Sequence, residues 1–367
     1  MQARRFLVTV TILAAAAAHV GGGAARGVDL RPSWECLPDD TSLMIRLPQP
    51  AAFLETLRTR TTFGAVALGA DRLTKAWALA LEATGDGAGA DTSMEDVERR
   101  LATLGLEPED LQAAFAGDMG FGIVVRPRGD DLPPVTMALA WMEPGPEVAE
   151  RLMTAFHRWL EDQADEEEAP QRVDVDMAGH QVTWVKHPIL RADLGEVKFD
   201  GDLDAERLAQ LRKELAERAT RAPKVPVGTL HVFLTRIGGR LVAGQTLPPT
   251  PDVRVGMQGV KVDVNAERPA VPEDLDRMSG TDEARDLFAR YLASHATADG
   301  APLADVLQTP GMRAALPAGE TLAEVVLDPR PFLATAVAAD AGMKPRLAAL
   351  GIADLGPAAL RLTFDGG

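Results

Sequence analysis

Short apolar runs alternate with helical stripes along most of this chain, and turn residues separate them. Ser42–Leu47 (SLMIRL) reads as a strand. Pro50–Arg58 reads as the helix after it, with Pro in the first turn, where a missing N–H costs nothing. Helical spacing continues over Asp71–Ala83. Thr92 and Glu95 in TSME form a capping box, and the helix it opens carries RLATL and closes at Gly105. Gly120–Arg126 and Val135–Met142 predict a hairpin with a longer loop. Val148, Leu152, Phe156 and Trp159 give Glu147–Leu160 an apolar stripe at helical spacing. Arg172–Met177 and His180–Lys186 flank Ala178-Gly179, a second hairpin. A helix is expected over Leu203–Ala219. Thr229–Ile237 and Arg240–Gln245 flank Gly238-Gly239, a tight turn in which glycine tolerates positive φ. Pro248–Pro272 reads as a boundary with one strand at Val260–Val264, and Asp282–Ala296 as a further helix with the stripe Ala284, Leu287, Phe288, Tyr291, Leu292.

Two stretches echo one another. RLATLGL at Arg100–Leu106 returns as RLAALGI at Arg346–Ile352. Ser42–Thr56 (SLMIRLPQPAAFLET) aligns without gaps to Thr321–Thr335 (TLAEVVLDPRPFLAT), with Leu43 on Leu322, Pro50 on Pro329 and Phe53 on Phe332. Strand, Pro-marked turn, helix, heptapeptide and apolar run follow in the same order twice. That order predicts an internal duplication, with extra residues in the first copy near Thr61–Thr92. The second copy reaches only its first apolar run after the heptapeptide. An incomplete second copy, in a chain that is a fragment of a longer reading frame, is the expectation.

The N-terminus changes where this fold is expected to work. Arg4 and Arg5 precede an apolar run from Phe6 to Ala18, and small residues follow. That is the order of a secretory signal peptide, with Gly23 and Ala25 suiting a cleavage after Ala25. The run is shorter than the ~20 residues that span a bilayer. No other stretch is longer, so no stable membrane span is expected after cleavage. The formal net charge of −16 opposes nucleic-acid binding, which needs clustered Lys and Arg. One cysteine, Cys36, allows no internal disulfide, and the core must hold the fold unaided. Cys36 is expected to tuck beside Trp34 and Leu37, although pairing with another chain stays open. The single Asn265 is followed by Ala-Glu and forms no glycosylation sequon.

LPDDTSLMIRLPQPAAFLETL at Leu37–Leu57, VDVDMAGHQVTWV at Val173–Val185 and HVFLTRIGGRLVAGQ at His231–Gln245 carry a resemblance. The chain resembles, over about residues 37–365, a group of large exported bacterial proteins that share a domain of unknown function. The resemblance implies a duplicated α+β fold and export. It implies no activity, because no catalytic motif comes with it.

Candidate chemistry is sparse. None of Ser33, Ser42, Ser93, Ser279 and Ser294 sits in G-x-S-x-G or S-x-x-K, and Ser279 is expected in the N-cap region of the next helix. His157, His180, His187, His231 and His295 form no H-E-x-x-H pair. His180 and His187 point to opposite faces if they share one strand. Asp200, Asp202 and Asp204 resemble the start of a calcium loop, but Ala205 and Leu211 stand where Gly and Glu belong. They are expected to cap a helix, and Asp165–Glu168 to be a solvated loop. GDMGFG at Gly117–Gly122 enters a strand, so it is not a phosphate cradle. Trp141, Trp159 and Trp184 occupy apolar positions and are expected in the core.

The expected fold class is α+β: an antiparallel sheet built from hairpins with helices packed on one face. The expected organisation is a signal peptide at 1–25, a first α+β unit at 26–250, a connecting region with a helix at 251–318 and the start of a second copy at 319–367. No catalytic, cofactor-binding or metal-ligating residue is singled out, and no cofactor is expected. The expected role is an exported, periplasmic or extracellular binding or structural protein of the bacterial envelope, of undetermined ligand or partner. Enzymatic activity stays open, with the balance against it. The alternatives are a secreted hydrolase with a dispersed acidic site and a carrier of an apolar ligand.

Overall fold

The computed structural model describes residues 32–38, 40–60, 99, 101–128, 132, 134–162, 170–192, 224–247, 253–256, 259–262, 276–277, 279–296, 320–339, 342–349, 351 and 356–364. The segment expected to be a signal peptide, the helices expected at Asp71–Ala83 and Leu203–Ala219, the capping box expected at Thr92 and the acidic runs at Asp165–Glu168 and Asp200–Asp204 lie outside the described residues.

The strands are β1 (Thr41–Leu47), β2 (Met119–Arg126), β3 (Val135–Met142), β4 (Gln171–Met177), β5 (His180–Ala192), β6 (Lys224–Ile237), β7 (Arg240–Leu247), β8 (Val253–Gly256), β9 (Gly259–Val262), β10 (Glu320–Leu327) and β11 (Ala358–Phe364). The helices are α1 (Pro50–Arg60), α2 (Pro108–Ala114), α3 (Pro146–Asp162), α4 (Thr281–Ala296), α5 (Arg330–Ala339) and α6 (Met343–Ala349), with a 3-10 turn at Ser33–Cys36. Nine strands form one sheet in the order β11-β10-β1-β2-β3-β7-β6-β5-β4, and β8 and β9 pair separately. Every neighbouring pair is antiparallel. The α+β class follows. Strands expected in two separate units, at 26–250 and 319–367, share this one sheet.

The centre of the echo is the β1–β10 seam. β1 meets β2 with Leu47 opposite Met119 and Leu43 opposite Ile123, then slips by one residue at Ser42. β10 meets β11 with Leu327 opposite Ala358 and Ala323 opposite Leu362, then slips by one residue at Leu322. The two ladders coincide, slip included, when Thr41 is matched to Thr321, Ser42 to Leu322 and Leu47 to Leu327. That matching is one residue out of step with the gapless alignment of the sequences. The helix starts agree with it, because Gln49 C=O accepts Phe53 N–H at 2.9 Å and Pro329 C=O accepts Leu333 N–H at 2.9 Å. Pro50 is therefore the first residue of α1, whereas Pro329 sits just before α5, and neither place needs an N–H. β1 and β10 run antiparallel with Ile45 opposite Val325, its matched residue, so the seam is symmetric about that pair. The heptapeptides also end alike. Gly105 and Gly351 have φ of 76° and 67°, and their N–H groups reach Ala102 and Ala348 C=O at 3.0 Å each. Left-handed backbone at a helix end is the reason for glycine at both.

Strand alternation assigns side chains to two faces, and helices cover both. Met44, Met137, Leu139, Trp141, Val182, Trp184, Phe233, Val242 and Val326 join Ala284, Leu287, Phe288, Tyr291 and Leu292 of α4 in the main core. Met142 and Leu241, next door to Trp141 and Val242, face the other way onto Ala149, Leu152 and Ala155 of α3 and onto Phe115. This corrects the expectation of helices on one face. β3 (VTMALAWM) is apolar at consecutive positions, so each of its faces needs a cover. The helix expected in a connecting region is thus a main wall of the core. Its Phe288 lies against Gly244, where an added Cβ would fall 2.5 Å from the ring. Burying each such side chain contributes about 1.5–3 kcal/mol.

The hairpin turns fall where expected. Ala178 and Gly179 both take positive φ, and Gly238 does so in the other turn. β5 and β6 run longer than their sequence patterns, and the helix α2 and strand β8 were not expected.

Candidate functional site

One row of inward-facing positions crosses the sheet on the α4 side: Arg361 on β11 is opposite Glu324 on β10, Arg46 on β1, Gly120 on β2 and Trp141 on β3. Three of these residues are charges set into apolar strands. Arg361 Nε donates to Glu324 Oε1 at 2.8 Å, and Arg46 Nη1 to Glu324 Oε2 at 2.9 Å. Asp118, just before β2, accepts from Arg46 Nε at 2.6 Å and from Trp141 Nε1 at 2.9 Å. Gly120 lets this bridge pass. A Cβ there would fall 2.5 Å from Trp141 Cζ2 and closer still to Ile45 C=O. The Arg46 guanidinium also sits 5.2 Å from the ring centre of Trp34.

Burial acts against the Arg46 charge, but Asp118 and Glu324 outweigh it and raise its pKa. A second pair continues beyond the row, where Arg240 Nε meets Glu143 Oε1 at 2.9 Å and Ser33 Oγ donates to the same oxygen at 3.2 Å. Burial raises the Glu143 pKa against the pull of Arg240, and the charge of Asp118 adds to the rise. Glu143 N–H donates to Asp118 C=O at 3.0 Å, so the two acids lie side by side. Tyr291, fully buried in α4, has a hydroxyl with no hydrogen-bond partner among the described residues; burial first, then the nearby Cys36, Glu143 and Asp118, raise its pKa.

The histidines are not brought together. His231 lies in the core, with Trp184 Nε1–H donating to its Nδ1 at 3.3 Å. Its Nε2 must then carry the proton, which it donates to Thr281 Oγ1 at 3.0 Å, and Thr281 donates to Asp276 C=O at 3.0 Å. The hydroxyl proton points away from the imidazole, so this is not a nucleophile and its base. Burial lowers the His231 pKa to about 4. His157 repeats the order at the α3 face. It meets Thr183 Oγ1 at 2.9 Å, and Thr183 donates to Asp174 Oδ1 at 3.0 Å. Burial and Arg172 lower the His157 pKa. Burial pushes the Asp174 carboxyl up, but hydrogen bonds from Arg172 and Thr183 bring it below its ordinary value.

His180 and His187 share β5, and His295 is buried at the end of α4 with Nδ1 2.9 Å from Tyr291 C=O. Ser279 lies in the N-cap region of α4, as expected, and its Oγ accepts Thr229 N–H at 2.7 Å, tying that region to β6. Gly120 and Gly122 of the GDMGFG stretch lie in β2, where Leu37, Thr41 and Trp141 press on them. Cys36 is buried with Leu37 and Trp34 packed nearby, and Trp141 and Trp184 are core residues, while Trp159 is half-buried beside Phe156. Among the described residues no cluster of His, Cys, Asp and Glu could hold a metal ion, and no helix is long and apolar enough to cross a membrane. A surface depression of about 380 Å³ beside α3 is lined by Gly105, Glu147, Glu150, Arg151, Thr154 and Arg158. Its charged lining is the opposite of what an apolar ligand needs.

Sequence reading missed the charged row. Its signal was present as one charge in each of three apolar strands, Arg46 in SLMIRL, Glu324 in LAEVVL and Arg361 in LRLTF. No family model, curated protein or solved structure matches the chain.

Proposed function

We propose that this chain is an exported binding or structural protein of the bacterial envelope, without an enzymatic task, built on a duplicated β-α-β unit. The charged row carries the reading. Arg361, Glu324, Arg46 and Asp118 are joined to one another across neighbouring strands, and this spends their chemistry on holding the two units edge to edge. The matched slips at Ser42 and Leu322, the symmetric Ile45–Val325 pair and the left-handed Gly105 and Gly351 support the duplication. The Arg4–Arg5 start, the apolar run and the small residues up to Ala25 support export. Cell fractionation with N-terminal mass spectrometry tests the localisation. An envelope form beginning at Arg26 is expected, and a cytoplasmic form retaining Met1 would overturn it.

One arrangement favours the hydrolase alternative, the carboxyl of Glu143 raised by burial beside a second acid, Asp118, since general acid catalysis uses a carboxyl held above its ordinary range. Turnover of a glycoside or ester panel by the exported protein, abolished by Glu143→Gln with folding intact, would establish it over the first reading.

A further inference from the structure

Among the strand cations whose side chains are described, all but one are matched to a carboxylate. Arg46 and Arg361 share Glu324, Arg126 meets Asp40, Arg172 meets Asp174, Arg236 meets Glu150 and Arg240 meets Glu143. Lys186 on β5 breaks the pattern. Its Nζ stands 4.3 Å from the ring centre of Trp184, two residues back on the same face, and no carboxylate of the described residues reaches it. Arg285 of α4 comes to the same ring, its guanidinium carbon 5.2 Å from the centre, and it too meets no carboxylate among the described residues. The acids around it are engaged elsewhere or do not reach. Glu283 pairs with Arg128, Asp286 with Arg290, Asp276 accepts from Thr281 at 3.3 Å, and Asp282 makes no ion pair with Arg285. Two unmatched cations on one ring stand out in a chain of net charge −16.

Their footing is rigid. Trp184 Nε1–H donates to His231 Nδ1 at 3.3 Å, and Phe233 stacks on the indole at 5.6 Å and 23°. The ring is buried, so it gives the cations a fixed π-face with protein behind it. It attracts each cation but carries no net charge to cancel their repulsion, which an anion between them does. Beside them Val173, opposite Trp184, and Val175, opposite Val182, are half-buried on the same sheet face. The charges of β4 (Arg172, Asp174 and Asp176) alternate to the other face, so this strip is apolar.

We propose that Lys186 and Arg285 bind the carboxylate or phosphate of a small organic anion, whose apolar part rests on Val173 and Val175. Arg285 supplies a planar fork for two anionic oxygens, and Lys186 a compact point charge. The strip beside them favours an aryl or alkyl anion over a bare one. The inference rests on the binding role proposed above and gives it a ligand class. It does not use export, so its failure on purified protein leaves the fractionation result untouched.

Calorimetric titration of the full chain with acetate, benzoate and phenyl phosphate tests it. Benzoate or phenyl phosphate should bind about tenfold tighter than acetate, and the tighter of the two identifies the head group. Lys186→Met and Arg285→Met should each weaken that binding by about tenfold. Arg290→Met, which removes a cation already paired with Asp286, should leave it unchanged. Added salt should weaken it as well. Methionine keeps an apolar stem over the indole, and circular dichroism checks that each variant is folded. Arg285 is exposed, so its variant tests the site on its own. No binding of any of the three at about 10 mM, affinity indifferent to either methionine variant, or acetate binding as tightly as the aryl anions would each overturn the proposal.

Discussion

The two β-α-β units share a register and differ in what covers them. In the first, β2 carries Gly120 and Gly122 on the α4 side, and Trp141, Leu37 and Thr41 press against the bare backbone. The matched positions of β11 hold Ala359 and Arg361, which are only half-buried, Ala359 at the margin of the main core and Arg361 against Glu324. The first unit also supplies the cation with two carboxylates, Arg46, whereas the second supplies Arg361, which meets one carboxylate and lies nearer the edge. The lesson is physical. Strand register is set by local pairing and a bulge, but burial is set by the next layer. Two ladders can therefore share a backbone register while their side chains differ.

Arg46 gives the sharpest break. Arg46→Met strips the shared partner from Glu324 and Asp118, and loss of one member of a largely buried pair costs about 3–5 kcal/mol. Urea unfolding should show it, and Arg361→Met should cost less than about 1 kcal/mol by the same measurement. Equal losses would erase the difference between the units.

His231 lies outside both units and gives an independent reference. Its pKa in the folded chain is about 4, below the ordinary 6.5, so between those values the unfolded chain binds a proton that the folded one refuses. Stability is fully present above about pH 6.5 and falls towards pH 4, by about 3 kcal/mol for this group. His231→Gln should flatten that part of the pH profile while leaving the Arg46 and Arg361 effects unchanged.

Gly120→Ala should cost about 1–3 kcal/mol by overpacking, since the backbone carbonyl of Ile45 cannot yield as a side chain can. The mirror change in the second unit, Ala359→Gly, should stay below about 1 kcal/mol. Thermal melts of both variants measure the ratio.

The smallest effect concerns the helix starts. Asp328 accepts the Arg330 N–H at 3.0 Å at the start of α5, while Pro48 occupies the matched place in the first unit. Asp328→Ala should cost about 1 kcal/mol. Hydrogen bonds from Arg330 outweigh burial and hold the Asp328 carboxyl below its ordinary value, so this stabilisation is present at neutral pH and fades as pH falls through that lowered pKa. A melt of Asp328→Ala at pH 7 and again at low pH checks both points.

Much of the fold was legible because its signals are local. β1, β3 and α4 follow from apolar spacing, and both hairpin turns follow from their glycines. The order of strands was not legible. Nothing near Ile45 says that its neighbour is Val325, and the gapless alignment hid the one-residue shift because proline fits both at the start of a helix and just before it. The charged row was missed for a related reason. Arg46 or Glu324 alone looks like an edge residue, and only the pairing of β1 with β10 makes them partners. In the sequence His231 is one of several scattered histidines, since its Trp184 and Thr281 partners come from distant segments.

The seam between β1 and β10 also bears on how the molecule comes to be folded. β1 leaves the ribosome well before β10, and one of its two edges is paired by that strand, encoded near residue 325. Strands β1 to β7 can assemble while that edge stays open. Closing it requires the rest of the chain, across a separation that makes the step slow and late. During that interval the half-built sheet offers Leu43, Ile45 and Leu47 on a bare edge, so a chaperone that shields exposed strands would have its greatest effect there.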